Sequence, residues 1–240
     1  MKKEMAAVRA LTFDVFGTVV DWRGSVINAG QALKNASARK VDWAKFADRW
    51  RMEGYRDAIA RANREGPAWT RVDDLHLRKL RELVGDFGLA DLSDAQILEL
   101  NRVWHRLTPW PDSVAGLQRL RKRLIVSTLS NGDVALLTNM AKHSGLPWDC
   151  ILSAELVGNY KPMPVVYRKA AEWLGLQPSQ VMMVAAHTGD LAAARKEGFQ
   201  TALVKRPLEY GDVAKADLVA EPWMDVVAED MNDLADKLGC

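Results

Sequence analysis

Beyond about residue 108 the chain alternates between short apolar runs and amphipathic stretches. Residues 124–129 (LIVSTL) predict a buried strand that ends in Ser130, Asn131 and Gly132. Residues 134–143 then predict a helix closed by Gly145, and Cys150–Ser153 a short strand. Residues 163–174 predict a helix with Pro164 in its first turn, where a missing N–H costs little. A strand at 181–186, a helix at 191–198 and two further short strands at 201–204 and 218–219 complete the series. The first strand is residues 8–13 (VRALTF). Strands alternating with helices through short loops predict a parallel sheet covered on both faces.

Residues 24–106 carry a different pattern, with no strand-like run. Apolar residues recur at helical spacing, as in Trp43, Phe46, Ala47 and Trp50, and in Leu75, Leu77, Leu80, Leu83 and Val84. Trp43 and Trp50 share one helical face, which reads as core packing. Gly66 and Pro67 break the pattern once and residues 85–92 break it again, with Ser93 placed to cap a helix over 94–106. Such a block is too long for an ordinary crossover. Open α/β sheets bind ligands beyond the carboxyl ends of their strands, so a block leaving the end of the first strand would lie over the site. The expected organisation is an α/β, Rossmann-like parallel-sheet core over 1–20 and 108–240, with an inserted all-helical cap over 21–107 tethered near 21–24 and 107–112.

Composition narrows the function classes. Hydrophobic residues make up 48% and charged residues 27% of the 240, which excludes a mainly disordered chain. A net charge of +2 argues against a nucleic-acid or membrane-surface protein. No apolar run approaches the roughly 20 residues of a membrane span, and no long apolar stretch follows the charged N-terminus, so neither a span nor a signal peptide is expected. Cys150 and Cys240 are the only cysteines, which leaves no disulfide framework or cysteine-rich zinc site. The expected setting is cytoplasmic.

The candidate chemistry falls at the predicted strand ends. Asp14 ends the first strand, Ser130 and Asn131 the second, Lys161 follows a short strand, and Asp190 follows the strand at 181–186. A parallel sheet gathers these ends into one set of a carboxylate, a hydroxyl, an ammonium and a second carboxylate. A carboxylate beside a lysine stays ionised and available as a nucleophile. Gly17 permits a sharp turn, and the Thr18 and Ser130 hydroxyls could hold the nucleophile or an anionic substrate.

These residues resemble the haloacid dehalogenase superfamily over nearly the whole chain. Asp14 to Thr18 resembles its nucleophile motif, Ser130 to Gly132 its second, Lys161–Pro162 its third and Asp190 its fourth. The superfamily's phosphatases place an acid two residues after the nucleophile to protonate an alkoxide; here Phe16 stands there and cannot donate a proton. Their fourth motif commonly offers two acids to magnesium, and residues 185–190 (AAHTGD) offer only Asp190. Two segments instead resemble the L-2-haloacid dehalogenases: Lys161 through Tyr167, and Trp50–Arg51 followed by Tyr55. The departures are His187 in place of a common Asn, a lost Ser and Trp at the fourth motif, and Phe16 in place of a more usual Tyr. The AAHxxD pattern resembles a subgroup that includes enzymes acting on fluoroacetate.

The resemblance implies hydrolysis of short 2-haloacids to 2-hydroxy acids of inverted configuration, through an aspartyl ester on Asp14, with no metal and no cofactor. It gives Lys161 and Asp190 to the nucleophile and the water, and Ser130 and the backbone near Phe16 to the substrate carboxylate. Thr18 goes to the nucleophile or an anionic substrate, and Tyr167 lines the site. Arg51, Asn131, His187 and Trp110 are candidates for the halide, with Arg23 an alternative to Arg51. The implied partner is a small-molecule 2-haloacid, and relatives are often dimers, so a homodimer is an expectation. Other readings stay open: a small phosphate ester as substrate, Asp190 as a helix cap, His187 as a structural histidine, Trp110 as a wedge at the hinge, and Trp69 as either site lining or cap packing.

Overall fold

The computed structural model describes residues 8–33, 40–65 and 69–240. The expected break at Gly66 and Pro67 lies outside them. The chain enters on β1 (Ala10–Phe13) and the two-residue β2 (Val20–Asp21). It then passes through helices α1 (Trp22–Gln31), α2 (Trp43–Arg51), α3 (Asp57–Glu65), α4 (Val72–Asp86) and α5 (Asp94–Asn101), and returns on β3 (Thr108–Pro109). There follow α6 (Ser113–Leu120), β4 (Ile125–Ser130), α7 (Val134–Ser144), β5 (Cys150–Ser153), α8 (Pro164–Trp173) and β6 (Val181–Ala185). The chain closes with α9 (Thr188–Lys196), β7 (Gln200–Val204), β8 (Val226–Ala228) and α10 (Met231–Lys237).

Six strands form one parallel sheet in the order β5-β4-β1-β6-β7-β8. The order reverses at β1, so the crevice beyond the carboxyl ends opens at Asp14. β1, β6 and β7 are buried along their whole length, which explains continuous apolar runs rather than alternation. Local signals set the helix ends. Pro164 opens α8, Gly145 closes α7 in the left-handed region, and Ser93 with Gln96 forms a reciprocal capping box on α5. Trp43 and Trp50 are buried in the core, as their spacing predicts.

Three details differ from the sequence reading. Residues 218–219 form no strand, and Val219 is 72% exposed; the edge strand is β8, anchored by the buried Ala228. Residues 21–24 are not a loose tether, because Asp21 caps α1 by accepting the Gly24 N–H at 2.8 Å. The two connections to the helical cap are zipped together as an antiparallel β2–β3 ladder. Finally, α9 starts at Thr188 with His187 in the N-cap position, so Asp190 sits inside the first turn and is not the cap.

The helical cap is fastened to the sheet. One hydrophobic cluster runs from Phe13 and Phe16 through Trp22 and Trp104 to Trp50 and Phe46. Asp133, in the loop after β4, accepts the backbone N–H groups of Val72 and Asp73, both at 2.9 Å, and so caps α4 from across the seam. The Tyr160 hydroxyl donates to the Thr70 carbonyl and accepts the Thr70 N–H, while Trp69 stacks on the Tyr160 ring at 4.3 Å. Trp69 is therefore packing at the seam. Behind the sheet end, Arg206 forms a two-point ion pair with Asp112 at 2.8 Å for each contact and donates to the Thr18 carbonyl. No helix among the described residues is long and apolar enough to cross a membrane.

Candidate active site

Asp14 follows β1 directly, and its N–H still bonds to the Val184 carbonyl of β6. The strand pairing thus fixes the carboxylate. Its oxygens have different partners. Oδ1 accepts from Lys161 Nζ at 3.1 Å. Oδ2 accepts from Thr18 Oγ1 at 2.9 Å and meets His187 Nδ1 at 3.1 Å. Thr18 accepts the Ala186 N–H in turn, so its single hydroxyl proton is committed to Asp14. Burial alone would raise the Asp14 carboxyl, but the Lys161 charge and the His187 hydrogen bond overcome it and hold the group far below the usual carboxylate range.

Lys161 is buried and bridges two acids, with Nζ 2.5 Å from Asp190 Oδ2. Burial would lower its ammonium, and the charges of Asp14 and Asp190 raise it above the ordinary lysine value. Tyr167 donates to Asp190 Oδ1 at 2.6 Å, which fixes the carboxylate from α8. Asn131 brackets the Lys161 backbone: its Oδ1 accepts the Lys161 N–H at 2.7 Å and its Nδ2 donates to the Lys161 carbonyl at 3.4 Å. The motif after β4 therefore places the motif after β5.

The opposite wall comes from the cap. Arg51 closes α2, and the π-helical turn Met52–Arg56 that follows places Tyr55 beneath its guanidinium. The guanidinium sits 4.0 Å from the Tyr55 ring centre, 5.2 Å from Phe16 and 5.6 Å from Trp22. It is buried, and Nη1 has no hydrogen-bond partner among the described residues. A buried cation with a spare donor favours an anion in the adjoining space. Behind it, His76 is fully buried against Trp104 at 4.1 Å, and burial holds its imidazole well below the ordinary value, hence neutral.

These groups line one cleft of about 730 Å³ that includes Asp14, Arg51, Tyr55, Asn131, Lys161, Tyr167, His187 and Asp190. Three expected residues lie elsewhere. Trp110 spends its indole N–H on the Gly17 carbonyl at 2.8 Å, so it is the hinge wedge and not a halide donor. Ser130 is fully buried, accepts the Gly132 N–H and is off the cleft wall, so it is not placed to hold a substrate carboxylate. Phe16 stands behind Arg51 rather than on the wall. Arg23 pairs with Asp48 at 2.7 Å and is not on the cleft wall, so of the two expected arginines it is Arg51 that lines the cleft.

Glu209 escaped the sequence reading. It is 2% exposed, and both its oxygens lie 3.0 Å from His187 Nε2. The Trp22 indole donates to it at 3.1 Å. Gly17, at φ +88°, passes so close that a Cβ there would sit 2.1 Å from Glu209 Oε1. Burial would lower the His187 imidazole, and Glu209 and Asp14 together push it up to about 10.

A carboxylate at a strand end, a lysine held between two carboxylates and a helical cap are the setting in which a hydrolase family is matched. Residues 8–198 match the haloacid dehalogenase-like hydrolases, and the chain belongs to that family. Within it, the chain is similar to (S)-2-haloacid dehalogenase 4A of Burkholderia cepacia, at 31% identity over 213 residues that span 85% of this chain and 87% of the relative. Among solved structures it is similar to the L-2-haloacid dehalogenase PA0810, at 45% identity and a TM-score of 0.88, with 97% of this chain and 100% of that chain covered. It is also similar to the defluorinating L-2-haloacid dehalogenase Rha0230, at 41% identity and a TM-score of 0.91, covering 97% and 96% of the two chains.

Proposed function

We propose that the protein hydrolyses short 2-haloacids to 2-hydroxy acids without a metal, through an ester on Asp14. The observation that carries this reading is the division of Asp14's contacts on the cleft that Arg51 also lines: Oδ2 is shared between Thr18 and His187, while among the described residues Oδ1 meets only Lys161. Asp14 Oδ1 attacks the halogen-bearing carbon from behind, and the carbon–halogen bond breaks with its electron pair on the halide. Arg51 receives the halide, and a donor aimed at developing charge in a water-poor site is worth about 10²–10³ in rate. Water then adds to the Asp14 carboxyl carbon. Asp190 takes the water proton, the ester C–O bond breaks, and the proton passes to the departing alkoxide. Splitting one displacement into two steps is the gain of covalent catalysis.

Lys161 supplies the cation between Asp14 and Asp190. Asn131 and Tyr167 hold Lys161 and Asp190 in place. Phe16 supports Arg51 from behind. The phosphate-ester reading gains nothing from the site, since Phe16 offers no proton to a leaving alkoxide. The division into a core over 1–20 and 108–240 and a cap over 21–107, a cytoplasmic setting and a homodimer belong to the same reading and rest on composition and resemblance. Fluoroacetate is included as a substrate because the similar Rha0230 is described as defluorinating.

The test is halide release from chloroacetate, fluoroacetate and each enantiomer of 2-chloropropionate, with EDTA present. Release that survives EDTA and disappears in Asp14→Asn supports the reading. No halide from any of the four acids overturns it.

A further inference from the structure

His187 stands between two carboxylates. Nδ1 lies 3.1 Å from Asp14 Oδ2 and Nε2 lies 3.0 Å from both oxygens of Glu209. A carboxylate is an acceptor only, and a neutral imidazole has one N–H. Both contacts are hydrogen bonds only if both ring nitrogens carry protons. Glu209 is 2% exposed and its other partners, the Trp22 indole and the Tyr210 hydroxyl, are neutral, so among the described residues His187 is the cation within hydrogen-bond reach of it. A buried carboxylate demands such a counter-charge.

We propose that Glu209 is a positioning residue for the nucleophile, holding His187 as an imidazolium that donates to Asp14 Oδ2. This rests on the dehalogenase reading for its chemistry. Thr18 and His187 then form a two-donor cradle on Oδ2, and Oδ1 is left as the attacking oxygen. When water adds to the Asp14 carboxyl carbon, the carbonyl electron pair moves onto Oδ2, where both donors already point. Collapse returns that pair to the carbonyl and breaks the bond from the carboxyl carbon to Oδ1, which leaves as the product hydroxyl. Glu209 therefore acts mainly on the second half of the reaction. It does so without touching the substrate carbon.

Other titratable groups share the cleft with His187: Lys161 and Asp190 beyond Asp14, Tyr210 beside Glu209, and Lys215 and Asp217 from the following loop. Asp217 accepts the Thr188 N–H at 2.8 Å, and Lys161 is committed to Asp14 and Asp190. The two ring nitrogens themselves meet only Asp14 and Glu209 among the described residues.

Glu209→Gln keeps the shape and removes the charge. With 2-chloropropionate, the expected result is a fall in kcat of about 10- to 1,000-fold. A covalent adduct on the Asp14 peptide accumulates by mass spectrometry. The basic limb of the kcat profile moves from about 10 toward the ordinary histidine value of 6.5. A folded Glu209→Gln protein with an unchanged pH profile and no adduct overturns the proposal. Side-chain ¹⁵N NMR of the wild-type protein, assigned with His187→Asn, gives an answer independent of activity and of that variant's folding. Two protonated ring nitrogens on His187 at pH 8 support the proposal, and a neutral ring overturns it. Absence of halide release by the wild-type protein would instead strike the dehalogenase reading.

Discussion

The Arg51 guanidinium rests 4.0 Å from the centre of the Tyr55 ring, and the two side chains close the cap wall of the cleft as one unit. A guanidinium stacked this way keeps its edge free for an anion while its faces are dry. Arg51→Met should lower kcat/KM by about 100-fold or more, since the halide loses its donor. The same substitution removes an unpaired buried charge, so the folded protein should gain about 1 kcal/mol or more. Halide assays and thermal unfolding on one preparation check both signs together.

Tyr167 and Asp190 give a second expectation. The phenol donates to Asp190 Oδ1 at 2.6 Å, and its hydroxyl proton is held more tightly than usual by burial and the Asp190 charge. Tyr167→Phe should cost about 1.5–3 kcal/mol in denaturant unfolding, the range for a hydrogen bond to a charged group. It should lower kcat with little change in KM, because Tyr167 acts on Asp190 and Lys161 rather than on the substrate.

The pH dependence of stability follows from His187. Its folded value of about 10 lies above the ordinary 6.5, so the folded state holds the proton more tightly. The stability it contributes is full below about 6.5 and is lost as pH rises through about 10. Thermal midpoints measured from pH 6 to 10 should decline, and His187→Asn should flatten that decline.

Asp112 and Arg206 provide a test of the fold away from the cleft. Their ion pair also anchors the Thr18 carbonyl and the Met231 N–H. Breaking it from one side leaves a buried guanidinium without its partner. Asp112→Ala should destabilise by about 3–5 kcal/mol, measured by urea unfolding. The Asp112 carboxyl, raised by burial but lowered further by Arg206, sits below its ordinary value. Its contribution is therefore present above about 3.8 and is lost as pH falls through the folded value.

Much of this architecture was legible because the sheet is buried on both faces. β1, β4 and β6 each read as an apolar run with a chemical residue or turn at its carboxyl end, and with the short β5 their order places Asp14, Lys161 and Asp190 together. β8 was not legible. It is three residues long, its first two valines are half-buried, and the run at 218–219 is equally apolar yet leaves Val219 in solvent. Glu209 was hidden for another reason: a single loop carboxylate between Leu208 and Tyr210 carries no periodic mark. Its trace lies in two other residues, His187 in need of a counter-ion and Gly17 where no side chain fits. The hydrogen bonds of Trp110 to Gly17 and of Gly132 to Ser130 were not legible, because motif position gives neighbourhood but not which way a side chain bonds.

The cap's attachment through Asp133 sets how substrate reaches the nucleophile. The first turn of α4 borrows its acceptors from the loop after β4, so lifting the cap would strip two N–H groups of their partners at about 1–3 kcal/mol each. The Tyr160–Thr70 contacts would part at the same time. A helix end that doubles as a latch makes wholesale swinging an expensive route for a molecule of a few heavy atoms. Met52, Arg56 and Asn63 of the cap line the same cleft as Asp14, so that wall stays in place for as long as the latch holds.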